Sequence, residues 1–340
     1  MKKLWLILAF ACGLQACENQ EVEFEDFEYK AVYFPLQYPL RTLSLGEDRI
    51  DNSLDKELKF HIGVGVGGMY ENTRDWEVSF EVDNTLASNL INADGDTVEA
   101  LPESYYTLAP NGKAIIPSGS FQGLIQVQLT DAFLDDPMAF KDHYMIPLKI
   151  VSSNADTVLR GLPNIANPDR RILTHWDVQP KDFTLFGIKF VNGLHGKYLH
   201  RGIDIAYDAT GVAVDTAIYR RDYVVNDEVW SAETSGRNSV ILHGTGRNSG
   251  EGGNYMMHLS LGTDEKTITV DAVEGANVAV TANGTCEWIK GGDEWGGEKR
   301  DVLHLSYSYV DGAMTHQVQD TLVFRDRGIH FEEISVQVVE

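Results

Sequence analysis

Val302-Leu303-His304-Leu305-Ser306-Tyr307-Ser308-Tyr309 decides how the chain is read. Apolar and polar side chains alternate along it, the period-two signature of a β-strand with one dry face and one wet face. Leu303, Leu305, Tyr307 and Tyr309 fall on one side, and His304, Ser306 and Ser308 on the other. Outward from this stretch, the same kind of segment recurs. Candidate strands are Phe183–Val191, Gly196–Tyr207, Val212–Val225, Val229–Leu242, Tyr255–Leu261, Thr267–Val273 and Thr321–Phe324, with Ile329–Val338 closing the set. Turn signals separate them at Asp208-Ala209-Thr210-Gly211, Asn226-Asp227, Gly244–Gly253 and Asp311-Gly312. Nothing here has the pattern of a crossover helix. Sequential antiparallel strands in this number predict an up-and-down barrel of roughly eight strands over residues 181–340. A second sandwich is the alternative, because periodicity does not distinguish a closed sheet from an open one.

The first half is also β. Trp76, Val78, Phe80 and Val82 alternate with Glu77, Ser79 and Glu81, and Ile125, Val127 and Leu129 alternate with Gln126, Gln128 and Thr130. Tyr144, Ile146, Leu148 and Ile150 make a further row. Asp83-Asn84, Asp94-Gly95-Asp96, Pro110-Asn111-Gly112 and Pro117-Ser118-Gly119 mark turns between short strands, so residues 31–160 predict a β-sandwich. Thr130–Ala139 reads as a short helical or looped excursion. Residues 161–180 carry Pro163, Pro168 and Pro180 with little periodicity, and read as the linker between two all-β modules.

The amino terminus sets the compartment. Lys2 and Lys3 precede the short apolar run Leu4–Leu14, too short to span a bilayer as a helix, and Leu14-Gln15-Ala16-Cys17 follows. A basic start, a short apolar core and a small residue before the cut describe a secretory signal over residues 1–16. Cysteine at that point resembles the bacterial lipobox, which implies cleavage before Cys17, its lipidation and an outer-membrane anchor. An ordinary signal with a chance cysteine is the alternative, and Cys12 is the poorer lipidation candidate. Residues 17–30 read as an acidic, solvated tether that resembles the surface-export signal of Bacteroidota lipoproteins, with a plain spacer as the alternative.

Composition narrows the function. The formal charge of −23 becomes −25 once Lys2 and Lys3 leave with the signal. Such a surface repels phosphate backbones, which disfavours nucleic acid, and repels anionic lipid, so attachment depends on acyl chains. Hydrophobic residues make up 43% of the chain, enough for a real core and against wholesale disorder. With Cys12 removed and Cys17 acylated, Cys286 stands alone and reads as a small buried hydrophobe, so the modules must be held by their own cores.

No catalytic constellation emerges. Gly63-Val64-Gly65-Val66-Gly67-Gly68 matches the dinucleotide fingerprint formally, but no helical stripe follows it. Glycines relaxing a strand end or bulge explain the run better. Asn92-Ala93-Asp94-Gly95-Asp96 offers alternating oxygens, yet lacks the closing acid of a calcium loop and reads as a hairpin turn. The histidines are scattered without metal-ligand spacing, so neither a metal nor a cofactor is expected. What remains is aromatic. Trp288 and Trp295 flank Gly291-Gly292-Asp293-Glu294, and Trp230, Tyr207, Tyr255 and Tyr70 lie near strand ends. Sugars stack on flat rings while neighbouring polar groups take their hydroxyls, so Trp288, Trp295, Trp230 and Asp293 are the candidate glycan-binding residues. The alternative is that these tryptophans plug the barrel end, with Lys299-Arg300-Asp301 pairing locally.

A string of blocks resembles a Bacteroidota family, domain of unknown function 1735, also called the BT-3987-type N-terminal domain. The blocks include Tyr33-Phe34-Pro35, Arg41-Thr42-Leu43, Leu45-Gly46-Glu47-Asp48, Asp51-Asn52-Ser53-Leu54-Asp55, Gly67-Gly68-Met69-Tyr70-Glu71-Asn72, Pro102-Glu103-Ser104-Tyr105-Tyr106 and Tyr144-Met145-Ile146-Pro147-Leu148. The resemblance implies an immunoglobulin-like sandwich in a cell-surface lipoprotein of a polysaccharide-utilisation (Sus-like) system. The second half is similar to β-rich partner domains described as lipocalin-like. Some relatives carry a family-18 glycosidase module, which this chain does not show, so no catalysis and no functional residues are carried over. The expectation is a surface lipoprotein, not an enzyme, that binds or helps handle glycans beside an outer-membrane importer. A structural or adhesion subunit with a protein partner is the alternative. A hydrolase and a carrier of an apolar ligand in a barrel cavity are the remaining readings.

Overall fold

The computed structural model describes residues 27–47, 51–110, 112–245, 254–276 and 278–339. The signal segment, Cys17 and most of the acidic tether lie outside the described residues. The first stretch forms β1 (Ala31–Tyr33), β2 (Pro39–Ser44), β3 (Lys59–Gly67), β4 (Trp76–Val82), β5 (Leu90–Asn92), β6 (Thr97–Ala100) and β7 (Tyr106–Ala109). It continues with β8 (Lys113–Ile116), β9 (Gln122–Leu129), β10 (Tyr144–Ser153), β11 (Thr157–Val158), β12 (Leu162–Pro163), β13 (Trp176–Val178) and β14 (Phe183–Val191). A sheet ordered β11-β1-β3-β9-β7 packs on one built around β2, β14, β10 and β4, giving the sandwich. Its core is the row of inward residues the alternation picks out: Trp76, Val78, Phe80, Ile125, Val127, Ile146, Leu148 and Ile150. Single helical turns at Ser53–Lys56 and Asp131–Leu134 interrupt it, the second within the expected excursion.

Two sequence puzzles resolve locally. Gly63 to Gly67 lie in β3, whose register with β1 and β9 is regular, and Gly68 follows its end at a φ of 90°, so the run relaxes a strand end and not a bulge, and the strand does not open a helix. Alternate glycines instead leave space on one face: a Cβ on Gly65 would lie 3.2 Å from Tyr33 Cζ, so the ring lies over bare backbone. At Asn92–Asp96 a turn joins β5 to β6, and the Asn92 Oδ1 accepts from the Asp94 and Asp96 N–H groups at 3.0 and 2.9 Å. That amide is spent on the turn, as a hairpin requires.

The second module is a nearly closed barrel. Its strands are β15 (Gly196–Tyr207), β16 (Ala213–Tyr219), β17 (Glu228–Gly236), β18 (Ser239–Thr245), β19 (Asn254–Leu261), β20 (Ile268–Ala272), β21 (Thr281–Ala282), β22 (Glu287–Trp295), β23 (Glu298–Asp311) and β24 (Met314–Asp326). The sheet runs β20-β19-β18-β17-β15-β24-β23, with β22 on β23. An antiparallel bridge, Thr267 to Glu287, joins the two ends, and Ile268 N donates to Cys286 O at 2.9 Å beside it. β15 pairs with β24 along its length, but with β17 in its first half and β16 in its second. Inward side chains, among them Tyr198, Trp230, Leu242, Met257, Leu303 and Tyr307, pack on one another as one core. Cys286 belongs to it: burial pushes its thiol up, and its Sγ donates to Ser306 O at 3.4 Å.

The expected boundary between modules needs correction. Residues 161–180 hold the β12–β13 hairpin, and Phe183–Val191, assigned by sequence to the barrel half, is a central strand of the sandwich. β14 pairs antiparallel with β10 (Tyr144 opposite Ile188) and parallel with β2 (Gly187 opposite Leu40). The last segment does not close the barrel either. β25 (Glu332–Glu333) adds to β2 and β26 (Val336–Val338) to β5, returning the chain to the sandwich. Ile334 then covers the outer face of the sheet together with Leu40, Leu90, Met145, Phe183 and Leu185. Burying each such side chain is worth about 1.5–3 kcal/mol, which is why this sheet is apolar on both faces. The barrel is thus inserted between β14 and β25. Arg327 ties the two crossing strands of chain, donating to Gly193 O and His195 O, both at 2.6 Å, and to Glu47 O at 2.9 Å.

Candidate functional site

Register builds a groove on the barrel flank. On one row Ser306 stands opposite Gln319, Gln319 opposite Ile203, and Ile203 opposite Ile218. On the next, His304 stands opposite Thr321, and Thr321 opposite Arg201. All of these point outward, because the inward positions of the same strands carry the core. Arg220 beyond β16 and Asn283-Gly284-Thr285 beyond β21 flank the rows, and the groove encloses about 820 Å³. Cross-strand neighbours hold the polar groups in place: His304 Nδ1 lies 3.2 Å from Thr321 Oγ1, and Ser306 Oγ donates to Asn283 Oδ1 at 2.7 Å. Arg201 sets its Nε against Asp227, whose buried carboxylate also accepts from Arg221 N at 2.8 Å.

Behind the groove wall lies a buried polar network. Gly202 faces Asp320 across the β15–β24 pair, and a Cβ on Gly202 would lie 1.9 Å from Asp320 Oδ1, so the carboxylate occupies the space glycine leaves. Asp320 Oδ1 meets His200 Nε2 at 2.8 Å, and Oδ2 accepts from the Tyr307 hydroxyl at 2.7 Å. His200 in turn stacks on Trp230, with ring centroids 3.8 Å apart. A second set repeats the design further along: Asp204 meets His316 Nδ1 at 2.8 Å and accepts from the Tyr309 hydroxyl at 2.7 Å. Burial and the Asp204 acceptor raise the Tyr309 phenol far above its ordinary range. These buried carboxylates have their charges compensated by hydrogen bonds, as burial demands. Among the described residues no group of three or more His, Cys, Asp or Glu is placed to hold a metal.

The tryptophans chosen from sequence do not share a site. Trp230 is 1% exposed and belongs to the barrel core, where it fills the space over Gly244. Trp288 is also buried, at 6% exposure, and shows only an edge to a cleft of about 680 Å³ between the modules. The charges lining that cleft are largely paired, Lys290 with Glu265 at 2.9 Å and Arg237 with Asp131 at 2.9 Å. Trp295 lies on the outer barrel face against Leu199, Val302 and Val323, with Arg300 over its ring. Trp288 and Trp295 are an odd number of positions apart on one strand, and the irregularity between them adds an even number, so they point to opposite faces. Asp293 is exposed on the same hairpin as Trp295 and pairs in register with Arg300. The groove was missed because it has no motif; only the wet-face assignment of His304 and Ser306 pointed towards it.

The comparisons with known proteins follow this two-module division. The model for a domain of unknown function, DUF5627, matches residues 193–328, which are the barrel, and a model described as an N-terminal domain matches residues 26–157, the sandwich up to β11. No curated protein matches the sequence. The crystal structure of a Bacteroides ovatus protein of unknown function is 34% identical, covers 93% of this chain and 100% of its own, and superposes with a TM-score of 0.82. A further Bacteroides ovatus protein of unknown function is 14% identical, with 91% of this chain and 100% of that one covered and a TM-score of 0.44. An auxiliary nutrient binding protein of Bacteroides thetaiotaomicron is 12% identical, with 84% and 90% covered and a TM-score of 0.40. On the 34% identity over nearly its whole length, the chain, itself an N-terminal sandwich domain joined to a DUF5627 barrel, belongs to the Bacteroides family of that first protein.

Proposed function

We propose that the protein is a lipid-anchored surface protein whose barrel binds a glycan in the flank groove, beside an outer-membrane importer of a polysaccharide-utilisation system. The observation that carries this reading is the groove itself. Its volume, about 820 Å³, lies within the ~300–1,000 Å³ of small-molecule sites. Its walls offer amide, hydroxyl, imidazole and guanidinium groups, the donors and acceptors that read sugar hydroxyls. Binding rather than bond-breaking is the task we assign, because the carboxylate in the groove wall, Asp320, has both oxygens engaged by His200 and Tyr307. Affinity electrophoresis of the full chain against a panel of polysaccharides tests the reading. Retardation by at least one polysaccharide, lost in an Arg220→Ala/Gln319→Ala variant that melts like the parent, is the expected result. Mobility unchanged by every polysaccharide, or retardation indifferent to those substitutions, overturns it. The anchor has its own test: mass spectrometry of the mature amino terminus should find a diacylated Cys17, and an unmodified thiol there removes the membrane from the account.

A protein-partner reading is favoured by one observation. Phe27 and Tyr29, 67% and 53% exposed, flank a largely apolar cleft of about 550 Å³ with Tyr33 where the tether enters the sandwich. Exposed apolar surface of this kind marks interaction sites. Crosslinking from this cleft in intact outer membranes, against a Phe27→Ser/Tyr29→Ser control, separates it from the glycan reading.

A further inference from the structure

We infer that the flank groove selects acidic sugars, with Arg220 taking the carboxylate of a hexuronate residue; this rests on the glycan reading above. The inference comes from a local break in the negative surface. The chain as a whole carries −23, yet the groove is lined by Arg201 and Arg220 against a single carboxylate, Asp320, and since Arg201 is paired with Asp227 the cation left facing the groove is Arg220. That carboxylate is buried and consumed by His200 and Tyr307, so it presents no free acceptor to a ligand. Asp227 holds Arg201 by its Nε, which fixes the guanidinium plane and leaves the Nη groups without a hydrogen-bond partner among the described residues. Arg220 is exposed and has no ion pair among the described residues. A guanidinium matches a carboxylate in a two-point, planar fit that neutral hydroxyls do not reproduce. Asn283 and Gln319, on opposite sides of His304 and Ser306, are placed for the hydroxyls of the same sugar. The negative surface elsewhere does not defeat this contact. At physiological ionic strength, charges beyond a Debye length of about 8 Å are largely screened, whereas a direct ion pair is not.

The test is affinity electrophoresis and calorimetry of the full chain with polygalacturonate and alginate, with methyl-esterified polygalacturonate and pullulan as uncharged counterparts. Expected are binding to at least one polyuronate, loss of polygalacturonate binding on esterification, and a drop of about tenfold to a hundredfold in Arg220→Gln. Arg220→Lys should retain more of the affinity than Arg220→Gln, and both variants should melt as the parent does. Equal binding of charged and esterified chains, binding of pullulan alone, or an Arg220→Gln variant with unchanged affinity overturns the acidic-sugar inference while leaving the glycan reading standing. Failure to bind any of the four, together with failure on the wider polysaccharide panel, removes both.

Discussion

Replacing Gly202 by alanine should unfold the barrel network from behind the groove. The new Cβ lies 1.9 Å from Asp320 Oδ1, 3.1 Å from its Cγ and 2.9 Å from the Gln319 carbonyl oxygen. Ordinary contact begins at 3.4 Å, so the carboxylate must retreat by about 1.5 Å. Its bonds to His200 at 2.8 Å and to Tyr307 at 2.7 Å do not survive such a shift. Leaving a buried carboxylate without its hydrogen-bond partners costs about 3–5 kcal/mol, far more than the ~0.5–1 kcal/mol that alanine gains over glycine in an extended strand. A barrel of this size should then lose on the order of 10–15 °C in melting temperature. Thermal and urea denaturation followed by circular dichroism measure the loss, and Trp230 fluorescence reports it locally, since that ring stacks on His200. The decisive comparison is a double-mutant cycle with Asp320→Ala. Once the carboxylate is gone, alanine at position 202 meets only the Gln319 oxygen, which is present in both backgrounds and cancels. The double variant should therefore cost Asp320→Ala plus only that Gln319 contact, with a coupling of ~3 kcal/mol. Costs that add to within ~0.5 kcal/mol, or a Gly202→Ala protein that melts with the parent, refute the reasoning.

Three other outcomes are expected. Trp230→Ala should destabilise by about 3–5 kcal/mol, because the ring is a fully buried core side chain, whereas Trp295→Ala should cost less and leave glycan retardation unchanged; melting curves and affinity gels check the pair. Burial, and then the Arg327, Lys197 and Lys189 charges, lower the His195 imidazole from 6.5 to about 4 in the folded protein. The unfolded chain therefore takes up that proton first, so stability is full above about pH 6.5 and falls as pH drops towards 4, by on the order of 2 kcal/mol; His195→Gln should flatten that slope in urea titrations. Arg327→Ala leaves the Gly193, His195 and Glu47 carbonyls without their donor, each costing about 1–3 kcal/mol where buried, and limited proteolysis should then cut near residues 326–332 faster than in the parent.

Some of this was legible in the sequence for a plain reason. A strand with one wet face writes its period into the chain, so the alternating rows Trp76–Val82, Ile125–Leu129 and Val302–Tyr309 could be placed, faces included, before any contact was known. The same alternation put His304 and Ser306 on the outer face, which is where they line the groove. Cys286 could be read as buried because a lone cysteine with no partner packs as a small hydrophobe.

Strand pairing, by contrast, is not written locally. Phe183–Val191 looks like any barrel strand, and only its insertion between β10 and β2 makes it part of the sandwich. Val336–Val338 carries no mark of its partner β5, and Trp288 and Trp295 look like a pair until register sends them through opposite sides of one sheet. The groove and the network behind it draw on β15, β23 and β24, with His200 and Asp320 120 residues apart, so no spacing rule could collect Arg201, His304, Gln319 and Asp320. Sequence by itself determined the period, the wet and dry faces and the two all-β halves, because those depend on neighbours along one strand. The tertiary structure decided module boundaries, burial of the tryptophans and the place of the flank groove, because those depend on hydrogen-bond register between strands that the chain brings together only on folding.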